Sequence, residues 1–128
     1  MSMRTPLAKV RGLGSARSGT AHFWLQRLTA VANIVLVSFL IGLLFTLAGA
    51  DYDTVRRTLA KPYIAVPLLL LVLSAVTHMR LGMQTIIEDY VHSEGRKVGA
   101  LVLNTFFAIL IGITCVFAVL FTIVLAGR

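Results

Sequence analysis

Three long runs of apolar residues follow one another along the chain, with short polar segments between them. The runs cover about residues 23–48, 63–90 and 98–125. Each is longer than the roughly 20 residues that an α-helix needs to cross a hydrocarbon core of about 30 Å. The pattern therefore predicts an all-α integral membrane protein with three transmembrane helices in a single domain, residues 1–128.

The amino-acid composition supports a membrane protein. Of the 128 residues, 58% are hydrophobic and only 13% are charged. A soluble domain of this size has too much surface for its volume to hide so many apolar side chains. The chain carries 12 Lys and Arg against 5 Asp and Glu. No basic stripe alternates with exposed aromatic residues, so we interpret the excess as basic membrane flanks and predict no nucleic-acid partner.

The positions of the basic residues predict the orientation of the chain. Residues 1–21 contain four bases and no acid, which is typical of a basic arm at a membrane surface or of an organellar transit peptide. We favour a basic cytoplasmic arm. Eight of the twelve bases lie on the side of this arm and of the turn after residue 90, and four lie on the other side. The positive-inside rule then places the N-terminus in the cytoplasm and the C-terminus in the periplasm. For a mitochondrial protein, the matrix replaces the cytoplasm.

The second apolar run ends in T-H-M-R-L-G-M-Q-T-I-I-E-D-Y, the stretch with the densest polar chemistry. His78 lies near the middle of the bilayer, where an ionisable side chain is costly and marks a functional site by default. It either forms a hydrogen bond with a neighbouring helix or serves as an axial ligand of haem iron. No other histidine lies at this depth, so a haem with two histidine ligands requires a second chain. Gly82, one turn later, leaves a bare face where a flat ligand such as haem can approach the backbone.

Asp89 and Tyr90 close the second run. Tyr90 is about 18 Å further along the helix axis than His78, the distance from a buried site to one near the membrane surface. An interfacial tyrosine beside a solvated acid explains the pair. The functional alternative is a hydroxyl that donates a hydrogen bond to a ligand carbonyl.

The remaining polar residues of the runs have simpler explanations. Arg27 either snorkels to the interface or pairs with an acidic ligand. Arg80 points about 200° around the helix from His78, so it need not serve the same ligand. The lone cysteine, Cys115, has no partner for a disulfide or a metal site and is interpreted as a packing residue.

Two motifs carry a resemblance to a known family. The first is G-x-x-x-F-x-x-x-R-x-T-A from Gly19 to Ala30, and the second is H-x3-G-x6-D-Y from His78 to Tyr90. Together with three apolar runs they resemble the smaller hydrophobic membrane anchor of succinate dehydrogenase (succinate:quinone oxidoreductase, complex II), in its alphaproteobacterial and mitochondrial-like branch. The second motif is the more specific. The larger sister anchor, the cytochrome b subunit of the same complex, typically has S-x-x-x-R-x-[ST]-G and H-x-x-x-G-x-R-H, which this chain lacks.

The resemblance implies a role for each matching residue. His78 corresponds to the axial ligand of haem b, opposite a histidine of the sister anchor. Arg27 corresponds to an arginine near the haem propionates. Tyr90 corresponds to the tyrosine that donates a hydrogen bond to a ubiquinone carbonyl, and Asp89 to its acidic neighbour near the proton entry. The chain departs from the family at two positions: His22 replaces an acid and Arg80 replaces an aromatic residue.

The resemblance also implies partners and location. The three helices would form half of a heterodimeric helix bundle that binds haem b, with the sister anchor as the other half. FAD would lie in a flavoprotein subunit and the iron–sulfur clusters in an iron–sulfur subunit. The complex would reside in the bacterial inner membrane, or alternatively in the mitochondrial inner membrane. This chain would help to reduce ubiquinone within the complex and would have no catalysis in isolation.

Two functions of other classes fit the three helices. A small transporter subunit would be expected to carry an acid in the middle of a span or an inverted repeat, and the sequence shows neither. A structural assembly subunit without a redox cofactor would leave His78 and Tyr90 without an explanation. A b-type haem spectrum in the purified complex is expected from the first hypothesis alone.

Overall fold

The structure is a computed structural model that describes residues 5–11 and 19–126. The described parts of the chain form five α-helices and no strand. The helices are α1 (Pro6–Val10), α2 (Gly19–Leu47), α3 (Tyr52–Leu59), α4 (Pro62–Tyr90) and α5 (Glu94–Ala126). The prediction of an all-α protein is confirmed.

Three of the helices are long and apolar enough to cross a membrane: α2 and α4 with 29 residues each and α5 with 33. Their large apolar side chains point mainly outward, as the exposure of Leu28 (67%), Phe45 (76%) and Leu103 (71%) illustrates. Lipid tails are as apolar as leucine, so such a surface is stable in a bilayer without being buried inside the chain. The arrangement is that of a membrane protein.

Helix α4 is the centre of the assembly, because it packs against both α2 and α5. Small residues allow α4 and α5 to approach closely: Ala108 is buried, and Gly112 faces Val76. The amide of Asn104 donates to the carbonyl of Arg80 over 2.9 Å. The Arg80 side chain also reaches α5, where Nε donates to the Thr105 hydroxyl over 3.4 Å. Arg80 therefore faces α5, in agreement with its angular separation from His78.

The helix ends differ from the expected positions in physically simple ways. Helices α2 and α5 each begin four residues before the predicted starts at residues 23 and 98, because helices continue beyond the apolar core into the polar interface. Helix α1 lies within the expected basic arm, whose Arg4 and Arg17 fall outside the described residues. Pro62 is at the first position of α4 and Pro67 lies in its second turn, where the helix continues.

Helix α3 occupies a segment between the first two apolar runs, where the pattern predicts only a loop. Asp51 caps it by accepting a hydrogen bond from the Thr54 amide over 3.4 Å. Contacts with the side chain and backbone of Thr54 hold the pKa of the exposed Asp51 carboxyl below its usual value. The Arg56 guanidinium, in the last turn, donates to the carbonyl of Leu125 at the end of α5. An acidic cap followed by bases in the last turn is a recognisable helix signal.

Candidate functional site

Two lines of polar residues face each other where α2 packs against α4. On α2 the polar positions are spaced by four, three and four residues, which keeps them on one helical face. On α4 a similar line includes a glycine where the helices approach. The α2 line is His22, Gln26, Thr29 and Asn33; the α4 line is Ser74, His78, Gly82 and Thr85.

Thr29 is the point where the two lines are joined by hydrogen bonds. Its hydroxyl oxygen lies 3.1 Å from Nδ1 of His78, and its backbone carbonyl accepts a hydrogen bond from the Ser74 hydroxyl over 3.3 Å. The same hydroxyl lies 2.8 Å from the carbonyl of Leu25, one turn earlier on α2. Thr29 is buried, with 7% of its surface exposed. The contact holds the His78 ring against α2.

A cavity of about 490 Å³ opens beside the His78 ring between the two helices. Two polar atoms in its wall, Nε2 of His22 and Oε1 of Gln26, are buried and have no hydrogen-bond partner among the described residues. A buried polar atom without a partner costs about 1–3 kcal/mol. The site is therefore one that a polar group from outside this chain would stabilise. Its lining is His22, Phe23, Gln26, Arg27, Ala30, His78 and Thr85.

Arg27 lines the same cavity from the first turns of α2. Its guanidinium carbon lies 4.6 Å from the centre of the Phe23 ring, a distance at which a cation and an aromatic face attract each other. The side chain is exposed. No carboxylate of the described residues forms an ion pair with it, so the positive charge is available to an acidic group that enters the cavity.

Gly82 is covered by a side chain of the neighbouring helix. A Cβ atom placed on Gly82 would lie 3.4 Å from Nε2 of Gln26. The glycine thus gives room to the Gln26 amide, and the face that the sequence suggested was bare is occupied by α2. A close approach of haem at Gly82 stays a prediction, and a ligand there would also contact Gln26.

Asp89 and Tyr90 lie apart from this cavity, at the last two positions of α4. Both side chains are exposed, Tyr90 by 78%. The ammonium group of Lys97 donates to the carbonyl of Glu88 over 2.9 Å and ties the start of α5 to this end of α4. The Tyr90 hydroxyl has no hydrogen-bond partner among the described residues. The candidate residues thus form two groups, one in the cavity and one at the helix end.

A metal ion at this site would depend on ligands from beyond the described chain. The described residues contain no group of three or more His, Cys, Asp and Glu side chains that could hold a metal. Nδ1 of His78 is engaged by Thr29, and no hydrogen bond from the described residues reaches Nε2. Cys115 is a free thiol on α5. His78 can therefore contribute a single ligand through Nε2.

Thr29 and Gln26 are the site residues to which sequence reasoning gave no role. Thr29 belongs to the first motif, and Gln26 lies between motif positions. Their signal was available in the spacing of polar residues on α2, where His22, Gln26, Thr29 and Asn33 repeat with the period of a helix inside an apolar run. Together these positions indicate a polar helix face that packs against another helix.

Comparison with known proteins identifies the family. Residues 1–125 match the model of the family described as succinate dehydrogenase/fumarate reductase transmembrane subunit. A protein of Rickettsia bellii named succinate dehydrogenase hydrophobic membrane anchor subunit is 35% identical over 120 residues, which are 92% of this chain and 94% of that protein. A protein of the same name from Paracoccus denitrificans is 30% identical over 73% of this chain and 72% of its own length.

A further relative comes from Reclinomonas americana. Its succinate dehydrogenase membrane anchor subunit is 36% identical over 99 residues, which are 73% of this chain and 80% of that protein. No solved structure matches. The chain belongs to the succinate dehydrogenase/fumarate reductase transmembrane subunit family and is a multi-pass membrane protein. The resemblance that the sequence motifs indicated is confirmed.

Proposed function

We propose that this member of the succinate dehydrogenase/fumarate reductase transmembrane subunit family is the hydrophobic membrane-anchor subunit of a succinate dehydrogenase. It holds the complex in the membrane, contributes one ligand to haem b and forms part of the site where ubiquinone is reduced. The observation that carries the proposal is the position of His78. In a chain of this family, a histidine near the middle of a membrane helix faces a polar cavity with one ring nitrogen free.

The residues of the cavity fit a haem. His78 offers Nε2 to the iron, and neutral imidazole nitrogen is a common iron ligand. Arg27 offers a positive charge to a propionate, and the unpartnered polar atoms of His22 and Gln26 gain hydrogen-bond partners when a polar ligand is present. A haem bound here would supply a site that accepts and returns single electrons. The second axial ligand and the other wall of the bundle would come from the sister anchor.

The end of α4 provides the chemistry for quinone reduction. The exposed Tyr90 hydroxyl donates a hydrogen bond to a quinone carbonyl oxygen, which becomes more negative as electrons arrive. Reduction of a quinone also consumes two protons, so its site should lie near water. Tyr90 and Asp89 meet this requirement because they end the helix and are exposed.

The partners follow from the same proposal. A flavoprotein subunit with FAD oxidises succinate, and an iron–sulfur subunit passes the electrons singly towards the membrane. Neither FAD nor an iron–sulfur cluster is assigned to this chain, which has no catalysis in isolation. The basic arm, residues 1–21, faces the cytoplasm and helps to dock the soluble subunits on the inner membrane.

Deletion of the chain tests the anchor role. Membranes of a strain without it should lose succinate:ubiquinone activity, while succinate oxidation with an artificial dye should move from the membrane pellet to the soluble fraction. Restoring the chain on a plasmid should reverse both changes. Membrane-bound succinate:ubiquinone activity at the wild-type level in the deletion strain would show that another protein is the anchor.

The orientation gives a second test. We expect the turn between α4 and α5 to face the cytoplasm and α3 to face the periplasm, because eight of the twelve bases lie on the first side. In a Cys115→Ser background, a membrane-impermeant thiol reagent should label Asp53→Cys in intact cells. It should label His92→Cys only after the cells are opened. Both positions are exposed, so labelling of His92→Cys in intact cells would reverse the orientation.

A further inference from the structure

We propose that Thr29 is a positioning residue for His78: it accepts a hydrogen bond from Nδ1–H and thereby directs the lone pair of Nε2 towards the haem iron. This inference rests on the proposed function, in which His78 is the haem ligand. It adds a partner on a different helix from the ligand. The partner fixes both the tautomer and the orientation of the ring.

The direction of the hydrogen bond follows from the environment of the Thr29 hydroxyl. A threonine hydroxyl has one hydrogen to donate and two lone pairs to accept with. Its hydrogen goes to the carbonyl of Leu25 at 2.8 Å, which is closer than the carbonyl of Gln26 at 3.1 Å. The oxygen is then an acceptor towards Nδ1 of His78, and their separation of 3.1 Å is normal for a nitrogen donor and an oxygen acceptor.

The tautomer decides which nitrogen is available for iron. In neutral imidazole one ring nitrogen carries the hydrogen and the other carries the free lone pair. With the hydrogen on Nδ1, the lone pair is on Nε2. Donation of Nδ1–H to an oxygen also makes the imidazole a stronger ligand. Thr29 therefore prepares His78 for ligation before a haem is present.

The surroundings of Thr29 make its hydroxyl a fixed point. The residue is buried, and the Ser74 hydroxyl donates to its carbonyl over 3.3 Å, so the backbone of α2 is tied to α4 one turn from His78. Thr77 provides a contrast next to the same histidine. Its hydroxyl donates over 2.7 Å to the carbonyl of Leu73 on its own helix. Loss of the Thr77 hydroxyl should leave the His78 ring unaffected.

The test compares Thr29→Val, Thr29→Ser and Thr77→Val in the complete membrane-bound complex. Thr29→Val keeps the shape of the side chain but removes the acceptor, whereas Thr29→Ser keeps the hydroxyl. We expect Thr29→Val to weaken haem retention by about 10- to 100-fold, the usual cost of altering a partner of a metal ligand. The haem midpoint potential should rise, because a weaker ligand stabilises ferric iron less. A tenfold loss of preference for ferric iron corresponds to about 59 mV.

The electron paramagnetic resonance signal of the ferric haem is the second readout, and it should change in Thr29→Val alone. Thr29→Ser and Thr77→Val should keep the wild-type potential and signal. The inference is overturned if Thr29→Val retains both wild-type values, or if Thr29→Ser shifts them as far as Thr29→Val does. Should Thr29→Val fail to assemble, Thr29→Cys is compared with Thr29→Ser, since the two differ by sulfur in place of oxygen. Equal potentials in that pair would overturn the inference.

These outcomes are distinct from failure of the proposed function. If His78→Ala keeps the wild-type haem spectrum, His78 is not the ligand and the underlying assignment fails. If His78→Ala loses the haem but Thr29→Val behaves as wild type, His78 remains the ligand and only the positioning role of Thr29 is lost.

Discussion

His78→Ala is expected to yield a complex that still oxidises succinate with an artificial dye but has lost most of its b-type haem. The substitution removes an iron ligand itself. Its effect should therefore exceed the roughly 10- to 100-fold loss of affinity that follows when a partner of a metal ligand is altered. The soluble subunits should be unaffected, because His78 lies within α4 and faces α2. Haem content per complex and the dye-linked rate are the two measurements.

His92→Ala is the matched control for this variant. His92 is exposed in the turn between α4 and α5, so its loss removes a histidine without altering the cavity. The control should contain the wild-type amount of haem. An unchanged haem spectrum in His78→Ala would contradict the ligand assignment.

Tyr90→Phe is expected to lower succinate:ubiquinone activity by as much as ~100-fold while dye-linked activity and haem content stay at wild-type levels. The substitution keeps the ring and its packing and removes only the hydroxyl. A hydrogen bond to an oxygen that gains charge during a reaction contributes about 2.7–4 kcal/mol in well-studied sites. The loss should appear in the rate with quinone, since the donor is needed where the carbonyl becomes negative.

Tyr63→Phe is the control for the tyrosine. Tyr63 lies near the other end of α4 and is exposed by 65%, against 78% for Tyr90. If the effect comes from a hydrogen bond to quinone, only Tyr90→Phe should be impaired. Wild-type quinone kinetics in Tyr90→Phe would mean that this tyrosine is an interfacial anchor.

The parts of the fold that depend on apolar length could be predicted from the sequence. A run of apolar residues longer than the membrane core has few alternatives to a helix, and α2, α4 and α5 all contain such runs. The distance between His78 and Tyr90 also follows from helix geometry. Helix α3 was missed because it is short and polar. Its signals are the capping residue Asp51 and the bases near its end, not its apolar pattern.

The contacts between helices could not be derived in the same way. Apolar residues cover nearly every side of α2, so they do not determine which face turns towards α4. That rotation is visible in the polar residues, and it brings Thr29 to His78 and Gln26 to Gly82. Each contact joins residues that lie about fifty positions apart in the sequence. The interpretation of Gly82 as a bare face overlooked the side chain that the opposite helix supplies.

The reduced-minus-oxidised optical spectrum tests the central claim most directly. The complex should be purified through a tag on this chain, so that every spectrum comes from assemblies that contain it, and then reduced with succinate. The account predicts a b-type haem band that appears on addition of succinate and is lost in His78→Ala. A purified complex that oxidises succinate but shows no b-type band would contradict the account.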